Sequence, residues 1–343
     1  MASFLLSSLD GYKAKTLTFK SIGDGDIKLD VVYPEKIDDA SPSTVLLHYH
    51  GGFLIFGDRY SFIPHWLVNA CASRKWIFVT PDYRLIPETT AQSSLEDAVD
   101  AYEWVLESLP RELGCKVGSV LVAGSSAGGY LALATAAAVT KQPSALLLIY
   151  GMLDATYSTY TTPGDNIFGQ PVFDTSSLLA EFPIASLDDK RPVLSGYQFH
   201  EEPRDNRVEL ASALHIDGLF LDYMTGVKGL GRAVVKEGAE AIPQHLKNLF
   251  PLAFGNLAKL PSTMLIHGKN DSGVPVELSI QAAEKIRAAG VRVLTEFPDD
   301  GEHGFDVNPG NVDVEKASGE NVTAFQSLRN AIDFLQSISQ GKS

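Results

Sequence analysis

The chain has 343 residues, 45% of them hydrophobic and 20% charged, which suits a globular protein with a sizeable core. Its 42 acidic and 28 basic side chains give a net charge of −14. That sign repels phosphate backbones and anionic lipid, so nucleic acid and membrane surfaces are poor partners.

Met1 to Ser8 offers only three consecutive large apolar residues and no basic start, too little for a signal-peptide core. No run approaches the ~20 apolar residues of a membrane span. The expected address is therefore the cytosol, and the sequon Asn321-Val322-Thr323 is read as chance. Thr16 to Ile22 and Asp26 to Tyr33 flank Gly23-Asp24-Gly25, a hairpin signal. Thr44 to His50 is an apolar run ending in Gly51-Gly52, and Trp76 to Thr80 is another, ending in Pro81-Asp82-Tyr83. Leu95 to Leu109 has helical spacing, with Leu95, Val99, Tyr102 and Leu106 on one face. Val117 to Val122 reads as a strand, Ala127 to Thr140 as a buried helix of small residues, and Ala145 to Tyr150 as a strand. From about Ala155 to Leu257 alternation stops, with scattered prolines and mixed charge such as His200 to Arg207. It resumes with a strand at Thr263 to His267, a helix at Pro275 to Ala289, a strand at Val291 to Phe297 and a closing helix at Val322 to Ile338.

Short, wholly apolar strands alternating with helices predict an α/β protein with a mostly parallel central sheet covered on both faces. The irregular block falls between two core strands. Loops that long are usually functional, so residues 155–257 are expected to form a cap or lid, with residues 1–154 and 258–343 forming the core. Cys71 and Cys115 are expected as buried, reduced thiols.

Gly124-Ser125-Ser126-Ala127-Gly128 lies between the strand Val117 to Val122 and the helix that follows. In that setting G-x-S-x-G is a nucleophile elbow. Its glycines leave room where strand and helix pass close together, and Ser126 is thrown forward on a strained turn. A serine needs a base, and His303 in Gly301-Glu302-His303-Gly304 follows the last strand. His48 and His50 belong to the early glycine loop, His267 sits inside a strand run, and His65, His200, His215 and His245 have no comparable context. Asp271, in the stretch His267 to Pro275 that directly follows the run Met264 to Ile266, is the acid expected to orient His303. Alone it would read as a turn aspartate, but the order Ser, Asp, His is that of α/β-hydrolase triads. Asp299, Asp300, Glu302 and Asp306 are second choices, because close neighbours rarely reach round to the ring's other nitrogen. The N–H groups of Gly51, Gly52 and Ala127 are the expected oxyanion donors.

His50-Gly51-Gly52-Phe53, Pro81-Asp82-Tyr83-Arg84-Leu85, Gly124-Ser125-Ser126-Ala127-Gly128-Gly129, Gly268-Lys269-Asn270-Asp271 and Glu302-His303-Gly304-Phe305 together resemble the hormone-sensitive-lipase-like branch (fold-3) of the α/β-hydrolases. The resemblance runs from about Leu46 to Asp306, excluding most of the cap. It implies an α/β-hydrolase fold and an esterase acting on a small to medium carboxylic ester through Ser126, Asp271 and His303, with no metal and no cofactor. It also implies a structural place for Asp82 and Arg84. This chain departs from the family in two places. Phe53 stands where a third glycine is usual, and Ser125 stands where an acidic residue or threonine usually precedes the nucleophile. Phe53, Phe56, Tyr130 and Tyr157 are candidates for an apolar pocket, though each reads first as plain packing.

The expected partner is a small-molecule ester, with a homodimer left open. Dehydration, cyclisation or acyl transfer on a natural product would use the same triad, as would a formamidase. A non-catalytic receptor of this fold is disfavoured by the presence of His303, and a peptidase by the lack of blade-like repeats.

Overall fold

The computed structural model describes residues 9–23, 25–38, 40–185, 192–200, 205–317 and 322–341. The N-terminal stretch to Ser8, Asp24 of the hairpin turn, Glu201 to Arg204 and Asn321 of the sequon lie outside the described residues.

Among the described residues one eight-stranded sheet is built from β1 (Tyr12–Ile22), β2 (Gly25–Pro34), β3 (Ser43–Tyr49), β4 (Ile77–Pro81), β5 (Val117–Ser125), β6 (Ala145–Ile149), β7 (Thr263–Ile266) and β8 (Val293–Glu296), in the order β1-β2-β4-β3-β5-β6-β7-β8. The β1–β2 hairpin and its pairing with β4 are antiparallel, and all remaining pairs are parallel. The continuous apolar runs follow from this topology. Val45, Leu47, Val120, Val122, Leu146 and Leu148 enter one core, while Leu46, Leu121, Ala123, Leu147 and Ile149 enter a second. A strand whose neighbours along the chain face opposite cores has no solvent face on which to place polar residues.

Helices α1 (His65–Arg74), α2 (Ala91–Glu107), α3 (Ala127–Ala138), α4 (Asn206–Ile216), α5 (Glu277–Ala288) and α6 (Val322–Ser339) cover the sheet and its carboxyl edge. α2, α3 and α5 pack into the first core, and α1 and α6 into the second. Cys71 and Cys115 belong to different cores, on opposite faces of the sheet.

Two features differ from the sequence reading. α1 is an additional helix; its buried Trp66, Leu67, Ala70 and Cys71 repeat at helical spacing, but over too short a span to stand out. The stretch read as irregular contains α4 and shorter helices at Ser158–Thr161, Ser176–Glu181, Phe220–Thr225, Leu230–Glu237 and Pro251–Phe254. Buried charge hid α4. Arg207 pairs with Glu88 at 2.8 Å and donates to Ile55 O at 2.8 Å and Ile86 O at 2.6 Å, so a cation occupies a place where a pattern search expects an apolar residue. Asp205 caps this helix by accepting from Arg207 N at 2.8 Å. Among the described residues no helix is long and apolar enough to cross a membrane.

Candidate active site

Ser126 joins β5 to α3 with φ 56° and ψ −119°, a conformation that side-chain-bearing residues rarely enter. The surrounding glycines permit it. A Cβ on Gly124 would lie 2.0 Å from Gly128 O, and one on Gly128 would lie 2.0 Å from Tyr49 O. Ser126 Oγ is buried and has no hydrogen-bond partner among the described residues. Ser126 and His303 both line one cavity of about 720 Å³.

His303 Nδ1 lies 2.8 Å from Asp271 Oδ2. A carboxylate can only accept, so Nδ1 carries the proton and Nε2 is left as the basic atom. Asp271 is held in turn by Gly273 N at 2.8 Å and Val274 N at 2.7 Å, both on Oδ1. Burial by itself would raise the Asp271 carboxyl. Hydrogen bonds from His267 and His303 outweigh it and hold the group well below the usual carboxylate range. Acids near His303 in sequence are engaged elsewhere. Asp299 pairs with Lys269 at 2.5 Å, Glu302 accepts from Ser272 Oγ at 3.0 Å, and Asp306 accepts from Trp66 Nε1 at 2.9 Å and Tyr150 OH at 2.5 Å.

Gly51 approaches the serine so closely that a Cβ there would meet Ser126 Cβ at 3.2 Å. The N–H groups of Gly51, Gly52 and Ala127 make no hydrogen bond among the described residues, and Ala127 opens α3, where helical amides are unpaired. Gly52 has φ 110°, and its carbonyl accepts from Ile55 N at 2.8 Å and Phe56 N at 3.0 Å. Phe53 and Leu54 continue the loop at φ 54° and 62°. The place where a third glycine is usual is thus occupied by a left-handed phenylalanine. Tyr83 braces this loop, its hydroxyl donating to His50 O at 2.9 Å. Arg84 grips Asp97 with Nε and Nη2 at 2.7 and 2.8 Å, and Asp82 pairs with Arg59, so both motif charges hold loops in place. Ser125 Oγ lies 3.1 Å from Nε2 of buried His48, whose imidazole burial pushes down to about 3.

Phe53 and Phe56, which read in the sequence first as packing residues, line the cavity together with Phe62, Phe168 and Phe199. Phe56 and Phe62 lie 5.4 and 5.1 Å from the Phe199 ring, and Phe168 lies 5.7 Å from the His303 ring. Tyr130 and Tyr157 do not line it; Tyr130 is buried with its hydroxyl donating to Leu249 O at 3.0 Å. Phe168, Phe199 and Tyr150, whose ring lies 4.6 Å from His303, are site residues the sequence reading missed. Phe168 and Phe199 sit in stretches without periodicity, so no local signal marked them.

Behind Phe53, at 5.1 Å between rings, lies His215 on α4. Its Nδ1 is 2.7 Å from Ala211 O, and its buried Nε2 has no partner among the described residues. Burial pushes this imidazole from 6.5 down to about 4. The unfolded chain then binds a proton that the folded one refuses. This contribution is fully present above about pH 6.5 and is lost as pH falls towards 4. Relative to His215→Phe, the natural chain should lose roughly 1.4 kcal/mol of stability per pH unit across that window. Urea unfolding of both proteins at several pH values measures the difference, and parallel stability curves would contradict it.

Residues 46–191 match a family model described as alpha/beta hydrolase fold. Among curated proteins, non-reducing polyketide synthase prhL of Penicillium brasilianum is 26% identical across 94% of this chain. Methylphloroacetophenone synthase of Cladonia uncialis is 23% identical across 87%. The chain spans only 14% and 13% of the length of these two relatives. Among solved structures, an esterase of Pyrobaculum calidifontis superposes with a TM-score of 0.61 at 21% identity, covering 99% of this chain and 89% of that one. Carboxyl esterase 2 of Tuber melanosporum superposes with a TM-score of 0.60 at 17% identity, covering 98% and 87%. With its sheet in this order and the matched segment running from β3 through the Ser126 elbow, the chain has the α/β-hydrolase fold.

Proposed function

We propose that the chain is a serine carboxylic-ester hydrolase. Ser126 is the nucleophile, His303 the base, and Asp271 the acid that orients it; the N–H groups of Gly51, Gly52 and Ala127 receive the oxyanion. The observation that carries this reading is the strained Ser126 sharing a cavity with a His303 whose Nδ1 is held by Asp271. Ser126 Oγ attacks the acyl carbonyl while His303 Nε2 takes its proton, and the departing alcohol receives that proton. Water then gives a proton to His303 and its oxygen to the acyl group, the acyl–Ser126 bond breaks, and His303 returns that proton to Ser126 Oγ. Residues 155–257 act as a cap, contributing Phe168, Phe199 and α4 to the cavity wall. That several superposing structures are esterases supports the same reading.

The cavity falls within the ~300–1,000 Å³ usual for small-molecule sites. Its wall is rich in phenylalanine, and among the described residues no lysine or arginine lines it. Both features favour a neutral aryl ester over a charged one. Short-chain p-nitrophenyl esters should be hydrolysed readily and emulsified long-chain triglyceride poorly, as initial rates on the two substrates will show. A strong preference for the emulsion would overturn the proposal on substrate size.

The polyketide synthases among its relatives favour a second reading, in which the same triad releases, cyclises or transfers the acyl group of a natural product. Product analysis with an aryl thioester separates the two. Free acid as the main product supports hydrolysis, and a lactone or an ester of an added alcohol supports transfer.

A further inference from the structure

In the sequence His267 reads as part of a strand run. It follows β7 directly, is wholly buried, and reaches the pair formed by Asp271 and His303. Its Nε2 lies 3.2 Å from Asp271 Oδ2 and 2.9 Å from Val274 O. Both neighbours are acceptors, so Nε2 carries a hydrogen and donates. Its Nδ1 lies 2.8 Å from Ser279 Oγ in the first turn of α5, and its backbone N–H donates to Glu296 O on β8 at 3.0 Å. The imidazole is therefore fixed by β7, α5 and β8 together. Among the described residues, His267 and His303 are the two donors to Asp271 Oδ2.

We propose that His267 is a positioning residue for the reaction, orienting Asp271 and sharing with His303 the oxygen that stabilises the imidazolium. This rests on the triad reading above. An oxygen that already accepts a hydrogen bond from His267 holds the charged His303 donor less tightly than an oxygen that accepts from His303 alone. His267 thus limits how strongly Asp271 retains a proton on His303, and keeps Nε2 available as a base. Other titratable groups around the pair have their own partners or only a distant influence. Tyr150 and Asp306 bond to each other, Glu302 to Ser272, Glu296 to Ser327 and Asn330, and Asp154 to Lys285, while the Tyr160 hydroxyl feels Asp271 through space.

The test is the pH dependence of Ser126 labelling by a fluorophosphonate, which needs no knowledge of the natural substrate. His267→Leu should slow labelling by about 10- to 100-fold, the scale of a misplaced catalytic group. It should also move the acid limb of the profile to higher pH, because Asp271 then holds the His303 imidazolium more tightly. His267→Gln keeps a donor near the Nε2 position and should recover much of the rate and return the limb. Ser279→Ala should shift the limb in the same sense as leucine, by less. If His267→Leu does not fold, the glutamine and Ser279→Ala variants decide. Unchanged rates and limbs in the folded variants would overturn the proposal. Labelling that persists in Ser126→Ala would instead mean that the triad reading itself is wrong.

Discussion

Ser126→Ala is expected to lower ester turnover by about 10⁴- to 10⁶-fold, the range found when the nucleophile of a serine triad is removed. The protein should remain folded, because Ser126 Oγ has no hydrogen-bond partner among the described residues to lose. Ser126→Gly makes a sharper test, since it separates strain from chemistry. The backbone at φ 56° and ψ −119° is natural for glycine and costs a side-chain-bearing residue about 1–3 kcal/mol. Glycine's greater freedom in the unfolded chain returns roughly 0.5–1 kcal/mol of that. The glycine variant should therefore be as inactive as the alanine variant, yet more stable than it by about 1 kcal/mol. Urea unfolding of the three proteins beside their initial rates reads both quantities. A glycine variant less stable than the alanine variant would show that the turn stores no strain. An active alanine variant would remove Ser126 from the chemistry.

That strain explains why the elbow was legible in the sequence. A serine forced into this conformation needs bare backbone at Gly124 and Gly128, and the requirement is written into consecutive residues. The parallel strands were legible for a related reason. Burial on both faces leaves the centres of β3, β5, β6 and β7 apolar, at Val45 to Leu47, Val120 to Ala123, Ala145 to Ile149 and Met264 to Ile266, a local pattern with one dominant explanation. Asp271 and His303 could be found because each follows a core strand directly or within a short turn. What escaped notice depends on contacts between distant segments. Phe168 and Phe199 join one wall only once segments far apart in the chain have come together. His267 looked like a strand residue because its importance comes from Asp271, Ser279 and Glu296, which meet it from different elements. The helix α4 was obscured by Arg207, a cation that is tolerated in the interior because Glu88 and two carbonyls receive it. Phe53 shows the converse error of a family pattern. The loop keeps the left-handed turn that glycine would suit, and here a phenylalanine occupies it while lining the cavity.

Gly128→Ala should be among the most damaging single-atom additions in the molecule. Helix propensity by itself argues the other way, since alanine in place of an interior helical glycine is worth about 0.5–1 kcal/mol. Space decides the outcome. The added carbon would sit 2.0 Å from Tyr49 O, 2.5 Å from Tyr49 C and 2.6 Å from His50 O, all of them backbone atoms. No rotamer change relieves such a contact, so either α3 or the end of β3 must move. β3 leads into Gly51 and Gly52, while α3 begins with Ala127. Any movement that accommodates the methyl therefore widens the gap between the two sets of proposed oxyanion donors. Overpacking typically costs about 1–3 kcal/mol and more where backbone must shift, against a total stability of about 5–15 kcal/mol. Activity should fall further than stability, because donors displaced by even ~1 Å cost up to about 10²-fold in rate. Gly164→Ala is the control, since the nearest atom to its added carbon is Thr162 O at 4.0 Å. It should leave both stability and rate near those of the natural chain. Comparable behaviour of the two variants, in urea midpoint and in initial rate, would mean that strand and helix do not approach at Gly128 as closely as described, and the elbow geometry would have to be given up with it.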